Sequence, residues 1–309
     1  MPDDLARRLE LGGVVAALVV ASFAALASHG MVAQAVGAKP PTDKSFYVMG
    51  TNTTHWYNLG FSQGVADHNN GNTNSTVILD FGGQQSNDSG TIRPKTNNVF
   101  YSWATIEYVA EEFGLGYYVG TGTDSTSVLV MAVGTNNSAY YVTSTGGSTF
   151  ASAVQTVTNW LVGNGYASQV ATEGGNDMEP GYDTYSPTAS WISGWTGRVS
   201  LYLLNYGSAD GCPQTTHTNG GCNNGWNQND VWLVSWGDPP SYAAPEIYVQ
   251  GQANEWGQIR YWKSMTFEGP LDEYPLDTTT FTSTAAWTAL WNASGGVGQF
   301  YSLEITNGS

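Results

Sequence analysis

Val128-Leu-Val-Met-Ala-Val133 is an unbroken apolar run, rich in β-branched residues and followed by Gly134-Thr-Asn-Asn137. A strand with one wet face alternates apolar and polar residues. An unbroken run reads instead as a strand covered on both faces, as in a parallel sheet between helices. Working outward, Val77-Ile-Leu-Asp-Phe81 and Val231-Trp-Leu-Val-Ser-Trp236 have the same form. Shorter apolar runs at Phe46–Met49, Tyr117–Val119, Val170–Met178, Val199–Asn205 and Glu246–Val249 complete eight candidate strands.

Helical spacing lies between them. Apolar residues at 99, 103, 106, 110 and 113 mark one amphipathic helix, which Gly114 is expected to end. Residues 150, 154, 157 and 161 mark a second, closed by Gly163 or Gly165, and shorter helices are expected at 187–194 and 284–293. Strands alternating with helices predict an α/β protein built as a single (β/α)8 TIM-type barrel, with room for distortion. A β-sandwich or jelly roll is the alternative, and it would require alternating strands. No fixed-period repeat occurs, and the sequence shows one domain over residues 45–309.

The N-terminus is separate. Arg7 and Arg8 precede an apolar run from Leu11 to Ala27, so residues 1–35 read as an export signal or, if uncleaved, an N-terminal anchor. Residues 36–44 (VGAKPPTDK) form a linker. A secreted location makes a disulfide between Cys212 and Cys222 the expected fate of the two cysteines. No metal-ligand spacing accompanies them, and no cofactor or metal is expected.

Composition narrows the partners. The 309 residues carry a formal charge of −16, yet only 11% are charged, against roughly 25% in an average domain. Nine Lys and Arg cannot neutralise a phosphate backbone or an anionic leaflet, which excludes nucleic acid and charge-driven membrane binding. Polarity comes from Asn, Thr, Ser, Gly, Tyr and Trp, as in extracellular carbohydrate-active proteins. A carbohydrate partner and a monomeric chain are the expectation.

Candidate chemistry collects at strand ends, where a barrel of this kind places its working residues. Gly174-Gly-Asn-Asp177-Met-Glu179-Pro-Gly sets two carboxylates at i and i+2, on one face and roughly 7 Å apart along an extended backbone. A glycosidase needs one protonated carboxyl and one carboxylate. Glu179 is read as the acid and Asp177 as its partner; pairing of Glu179 with Arg198 or Arg260 is the competing reading. Asp80, ending Val77–Asp80 before Phe-Gly-Gly, is a third acid or a turn former. Tyr182, Asn205, Tyr206, Trp226, Trp236 and Trp256 are candidate sugar contacts, although core packing competes for every Trp. Glu246, early in its expected strand after Pro245, reads as the partner of a buried Arg, with a barrel-facing acid as the competing reading. Serine-hydrolase chemistry has little support: His55, His68 and His217 sit in uninformative contexts and no Gly-x-Ser-x-Gly elbow occurs. Gly114-Leu-Gly-Tyr-Tyr-Val-Gly120 is no nucleotide fingerprint, because it is expected to precede a strand rather than open a helix.

The segments LNYGSADGCP (204–213), CNNGWNQNDVWLVSWG (222–237), PEIY (245–248), ANEW (253–256) and AAWTALWNA (285–293) resemble a family of secreted bacterial proteins, over roughly residues 75–300. That family carries no assigned activity. NDMEPG (176–181) and the element layout resemble, more distantly, the family 25 lysozyme-like barrels. This resemblance implies a muramidase-type or other glycosidase acting on a cell-wall or plant-type polysaccharide; a non-catalytic glycan- or cell-surface-binding barrel is the alternative. Those enzymes carry an Asp on the first strand, whereas the first strand here reads FYVMGTN (46–52). Asp80 would have to replace it.

Overall fold

The computed structural model describes residues 38–71, 74–86, 89–92, 99–138, 141–238, 240–273, 281–296 and 299–308. The export signal expected at 1–35 lies outside them. No helix of the described residues is long and apolar enough to cross a membrane.

Eight parallel strands follow one another in spatial order: β1 (Thr42–Val48), β2 (Ser75–Ser86), β5 (Leu129–Asn136), β6 (Val170–Asp177), β7 (Leu203–Asn205), β8 (Ser241–Ala243), β9 (Leu271–Asp272) and β10 (Ser302–Gly308). Strand β10 returns to pair with β1 over seven residues, from Thr42 opposite Ser302 to Val48 opposite Gly308. A short antiparallel hairpin, β3 (Ser89–Ile92) and β4 (Val99–Ser102), hangs off β2. The sheet curls through 246°, making a distorted TIM-like barrel. Its gap, between β8 and β9, is bridged just past β8. There Ile247 N donates to Leu271 O at 2.9 Å, and Leu271 N donates to Pro245 O at 2.8 Å.

Helices cover the outside: α1 (Thr53–Asn70), α2 (Trp103–Gly120), α3 (Ser144–Gly163), α4 (Tyr185–Thr196), α5 (Gln228–Trp232), α6 (Gln250–Trp262) and α7 (Ser283–Ala293). Side-chain oxygens of Asn52, Ser102, Thr143 and Thr282 cap α1, α2, α3 and α7 by accepting from otherwise orphaned backbone N–H groups. The expected stripe of α3 is buried at Phe150, Val154, Val157 and Leu161. These side chains share the outer core with Ile106, Phe113, Trp191 and Trp195.

Two expected elements are corrected. Helix α2 does not stop at Gly114, and Tyr117–Val119 is its last turn rather than a strand. The glycines here are contact points, not stops. A Cβ on Gly60 or Gly64 of α1 would overlap the carbonyl oxygens of Phe113 and Tyr117 in α2, and one on Gly116 or Gly120 would overlap those of Tyr57 and Phe61 in α1. The two helices therefore cross backbone to backbone. Val231–Trp236 is likewise not a strand: it forms the end of α5 and a π-turn over Leu233–Gly237. An Asn227/Asp230 capping box starts that helix, with Asp230 N donating to Asn227 and Asn227 N to Asp230.

The barrel interior holds Tyr47, Ile78, Ala132, Leu204, Tyr206, Ala244, Leu271, Leu303 and Ile305. Toward its N-terminal end, Glu173 is 3% exposed and bonded by the Tyr242 hydroxyl, and Asp43 accepts from Thr76 N at 2.9 Å. Burial pushes Glu173 up to about 8 and Asp43 up to about 7. A buried carboxyl that keeps its proton longer in the folded state than in the unfolded chain favours folding on the acid side. Its contribution is lost as pH rises from the unfolded value near 4.5 through the folded one. Stability should therefore fall between about pH 5 and pH 8 by a few kcal/mol for Glu173 alone. Glu173→Gln, which can still accept from Tyr242, should flatten that fall. Thermal unfolding at stepped pH measures it, and parallel slopes for wild type and variant would refute this account of Glu173.

Candidate active site

Strand β6 decides where the acids stand. Its residues are all buried and alternate between the two faces. Thr172 meets Thr158 of α3 and Gly174 lies under the Trp195 ring, so these face outward. Glu173, Gly175 and Asp177 face the barrel axis. Gly175 leaves room for Tyr206, whose ring would stand 2.9 Å from a Cβ there; its hydroxyl donates to Thr135 O at 2.8 Å. Tyr206 thus fills the barrel beneath the C-terminal mouth.

Asp177 ends β6 at that mouth and Glu179 follows on the same face. Asn137 fixes Glu179 by its backbone: Glu179 N donates to Asn137 Oδ1 at 3.0 Å, and Asn137 Nδ2 donates back to Glu179 O at 3.2 Å. The third acid is Glu246, on the bridge that spans the sheet's gap. Its N–H donates to Gly207 O at 3.2 Å, and β9 pairs with the residues on either side. One carboxylate oxygen from each of Asp177, Glu179 and Glu246 lies within 4.8 Å of the other two. All three residues are buried, Asp177 to 2% exposure, Glu246 to 6% and Glu179 to 8%.

Burial is the main cause that holds Glu246 well above the ordinary carboxyl range, followed by the charges of Asp177 and Glu179. It is also the main cause raising Glu179, with the charge of Asp210 adding to it. Glu246 keeps the proton and donates it to Glu179, while the Tyr248 hydroxyl donates to Glu246 Oε1 at 2.5 Å. Tyr182 bonds the Glu179 carboxylate from the open side, its ring 41% exposed. Among the described residues the ion pairs are Lys44 with Glu304 and His68 with Asp124, so neither Arg198 nor Arg260 neutralises Glu179. Arg198 Nε donates instead to Ser152 Oγ at 2.8 Å.

The same three acids are the described residues that come close enough together to meet a metal ion. What the cluster does as it stands is share a proton between Glu179 and Glu246 beside a carboxylate, Asp177.

The other expected residues divide. Asp80 is fully buried at the end of β2, and its Oδ1 accepts from Gly82 N at 2.7 Å across a turn where Gly82 has φ +76°. It forms a turn and stands outside the close trio. Asn205 is a brace rather than a sugar contact: Oδ1 accepts from Met178 N at 3.2 Å and Gly207 N at 3.0 Å, and Nδ2 donates to Ser235 Oγ at 2.7 Å. Tyr206, Trp226 and Trp256 are also corrected, because a sugar platform needs an open ring face and these are at most 1% exposed. Trp226 donates to Asp183 O at 2.7 Å and meets Tyr185 edge-on, while Trp256 packs against Phe267. Trp236 is half-buried on the outer core, which leaves Tyr182 as the expected aromatic that reaches the acids from solvent. Cys212 and Cys222 form the expected disulfide. The histidines serve elsewhere: His68 bonds Asp124, His217 bonds Gln258 and His55 meets Trp56 edge-on.

Sequence reasoning undervalued Glu246 and passed over Tyr248, Asn137 and Asp210. Reading Val231–Trp236 as a strand put Glu246 at the start of the next one, the wrong end for chemistry. With that segment helical, β8 is Ser241–Ala243, and Pro245-Glu246 falls past a strand's C-terminal end, as Glu179-Pro180 does after β6.

Comparison with protein-family models, with curated proteins and with solved structures gives no match. The site must therefore be judged on its own geometry. One test concerns its floor: Gly175→Ala should drive a methyl into Tyr206, costing about 1–3 kcal/mol of stability. Denaturant unfolding measures this, and the double variant Gly175→Ala/Tyr206→Phe should recover little, because the clash is with the ring and not with the hydroxyl.

Proposed function

We propose that this chain is an exported glycoside hydrolase that cleaves a cell-wall or plant-type polysaccharide, related to the lysozyme-like barrels its NDMEPG segment resembles. The observation that carries this reading is the trio itself. Three acids meet at the C-terminal mouth of a TIM-like barrel with a proton retained between two of them. Glycosidic cleavage asks for that combination: a proton for the leaving oxygen and a carboxylate for the cation-like sugar carbon.

In this reading Glu179, the outer member of the proton-sharing pair, takes the shared proton from Glu246 and delivers it. The glycosidic C–O bond breaks, the leaving alcohol takes the proton, and an Asp177 oxygen bonds to the anomeric carbon. Water then attacks that carbon, losing a proton to Glu179 and releasing Asp177. Glu246, deeper and bonded by Tyr248, keeps the pair supplied with its proton. Spacing supports the two-step course. Retaining enzymes hold their carboxyls roughly 5–5.5 Å apart and inverting ones roughly 6.5–9.5 Å, and an Asp177 oxygen within 4.8 Å of a Glu179 oxygen favours the closer arrangement. Tyr182 is the aromatic placed to meet a sugar ring.

Glu179→Gln and Glu246→Gln should each lower reducing-end release on a polysaccharide panel by about 100-fold or more, with the circular dichroism spectrum unchanged. Activity at the wild-type level in Glu179→Gln would refute Glu179 as the proton donor, and absence of reducing-end release by the wild-type chain would leave glycan binding without catalysis. Proton NMR of the first-formed product should show the anomeric configuration of the substrate; inversion would exclude Asp177 as nucleophile.

A further inference from the structure

The segment between β7 and α5 carries the Cys212–Cys222 disulfide and is fastened on two sides. Asn224 Nδ2 donates to Pro180 O at 2.7 Å, and Trp226 Nε1 donates to Asp183 O at 2.7 Å, so one side is tied to the loop that bears Glu179. On the other side Glu255 of α6 accepts from Gln214 and from the backbone of Gly211, and His217 bonds Gln258. Flanking the disulfide on either side, Asn223 N donates to Asp210 O at 3.0 Å, and Gly211 holds φ +73°, which favours glycine. These ties aim Asp210 at the mouth. Gly181 marks the place: where its Cβ would stand, Asp210 Oδ2 is 2.5 Å away and Glu179 Oε2 is 3.7 Å away. Only a hydrogen separates the chain at Gly181 from a carboxylate that the disulfide loop pushes toward Glu179.

We propose that Asp210 is a positioning residue for Glu179, held beside it by the disulfide-closed loop so that its negative charge keeps the shared proton on the Glu179–Glu246 pair. The inference rests on the reading of Glu179 as proton donor. A like charge nearby disfavours ionisation, and a buried carboxyl such as Glu179 is screened from it less than an exposed one would be. The other groups facing Glu179 are Asp177 and Glu246, with Tyr248 behind Glu246 and Tyr182 on the open side; Glu255 faces Asp210 from α6. None of these is a cation, so nothing in the set offsets Asp210.

The test is a carboxyl titration of the exported chain labelled with 13C-glutamate, with the Glu179 signal assigned by Glu179→Gln. Asp210→Asn should move the Glu179 titration to lower pH by about 0.5–1 unit, and Gly181→Ala, whose methyl displaces the Asp210 carboxylate, should move it the same way. In turnover, the alkaline limb of kcat/KM should shift down by the same amount. A Glu179 titration unchanged in a folded Asp210→Asn variant overturns the proposal, whatever the activity. Absence of hydrolysis by the wild-type chain overturns the hydrolase reading instead, and a shifted titration then still places Asp210 in control of the Glu179 proton.

Discussion

The mouth of this barrel depends on Tyr206 having somewhere to lie. A ring and hydroxyl of that size can cross the axis only because the facing strands carry no side chain there. Gly175 of β6 and Gly134 of β5 both sit against it, and its hydroxyl is used up on the carbonyl of Thr135. With Tyr206 as floor, the next inward positions of β6 rise above it as Asp177 and then Glu179. The neighbouring Gly174 does the same service outside, where Trp195 packs flat against the strand and helps seat α4. The glycine pair in GGND is a packing device on both faces of one strand.

A second constraint is the scarcity of cations. The ion pairs among the described residues are Lys44–Glu304 and His68–Asp124, and several buried acids stand outside them: Glu173 and Asp43 low in the barrel, Glu179 and Glu246 at its mouth, Glu111 and Glu255 on the helices. Burial without a cation is answered by protonation. Glu111 and Glu255 are pushed up to about 7, Glu173 to about 8, and Glu246 well above the ordinary range. The formal charge of −16 therefore overstates the charge of the folded chain near neutral pH. It also follows that a retained proton at the mouth needs no special arrangement beyond depth and like charges, which the composition supplies in abundance.

Much of this was legible in the sequence, and what was not has physical reasons. Apolar runs gave β2 and β5, the looser stretch Val170–Met178 gave β6 beside them, and the helical spacing of 150–161 gave the buried stripe of α3. Helix α1 and the end of α2 beyond Gly114 were hidden because the contact between them is made by glycines, and glycine carries neither a hydrophobic signal nor a helix preference. Strand β10, Ser302–Gly308, alternates polar residues with Leu303 and Ile305 and has no run to find. Asp177 and Glu179 could be paired by their spacing, because i and i+2 on a strand share a face whatever the rest of the fold does. Glu246 could not be joined to them, since its partnership depends on how far the sheet curls.

That curl explains why the acids meet where they do. Strands β1, β2, β5, β6 and β10 are long and regular, whereas β7, β8 and β9 have three, three and two residues. Short strands leave their connecting segments to finish the wall. After β7 that segment is the disulfide loop bearing Asp210, and after β8 it is the bridge bearing Glu246. The part of the barrel weakest in ladder hydrogen bonds is thus the part that carries two of the four acids around the site. Its order comes from specific ties instead: Gly207 O and Leu271 hold the backbone around Glu246, and Asn224, Trp226 and Glu255 hold the loop around Asp210. A regular strand would fix the backbone of those residues but also their direction. Irregular segments pinned at several points can lean inward, and this lets carboxyls from the fourth and sixth parallel strands approach within hydrogen-bonding reach across the strand between them.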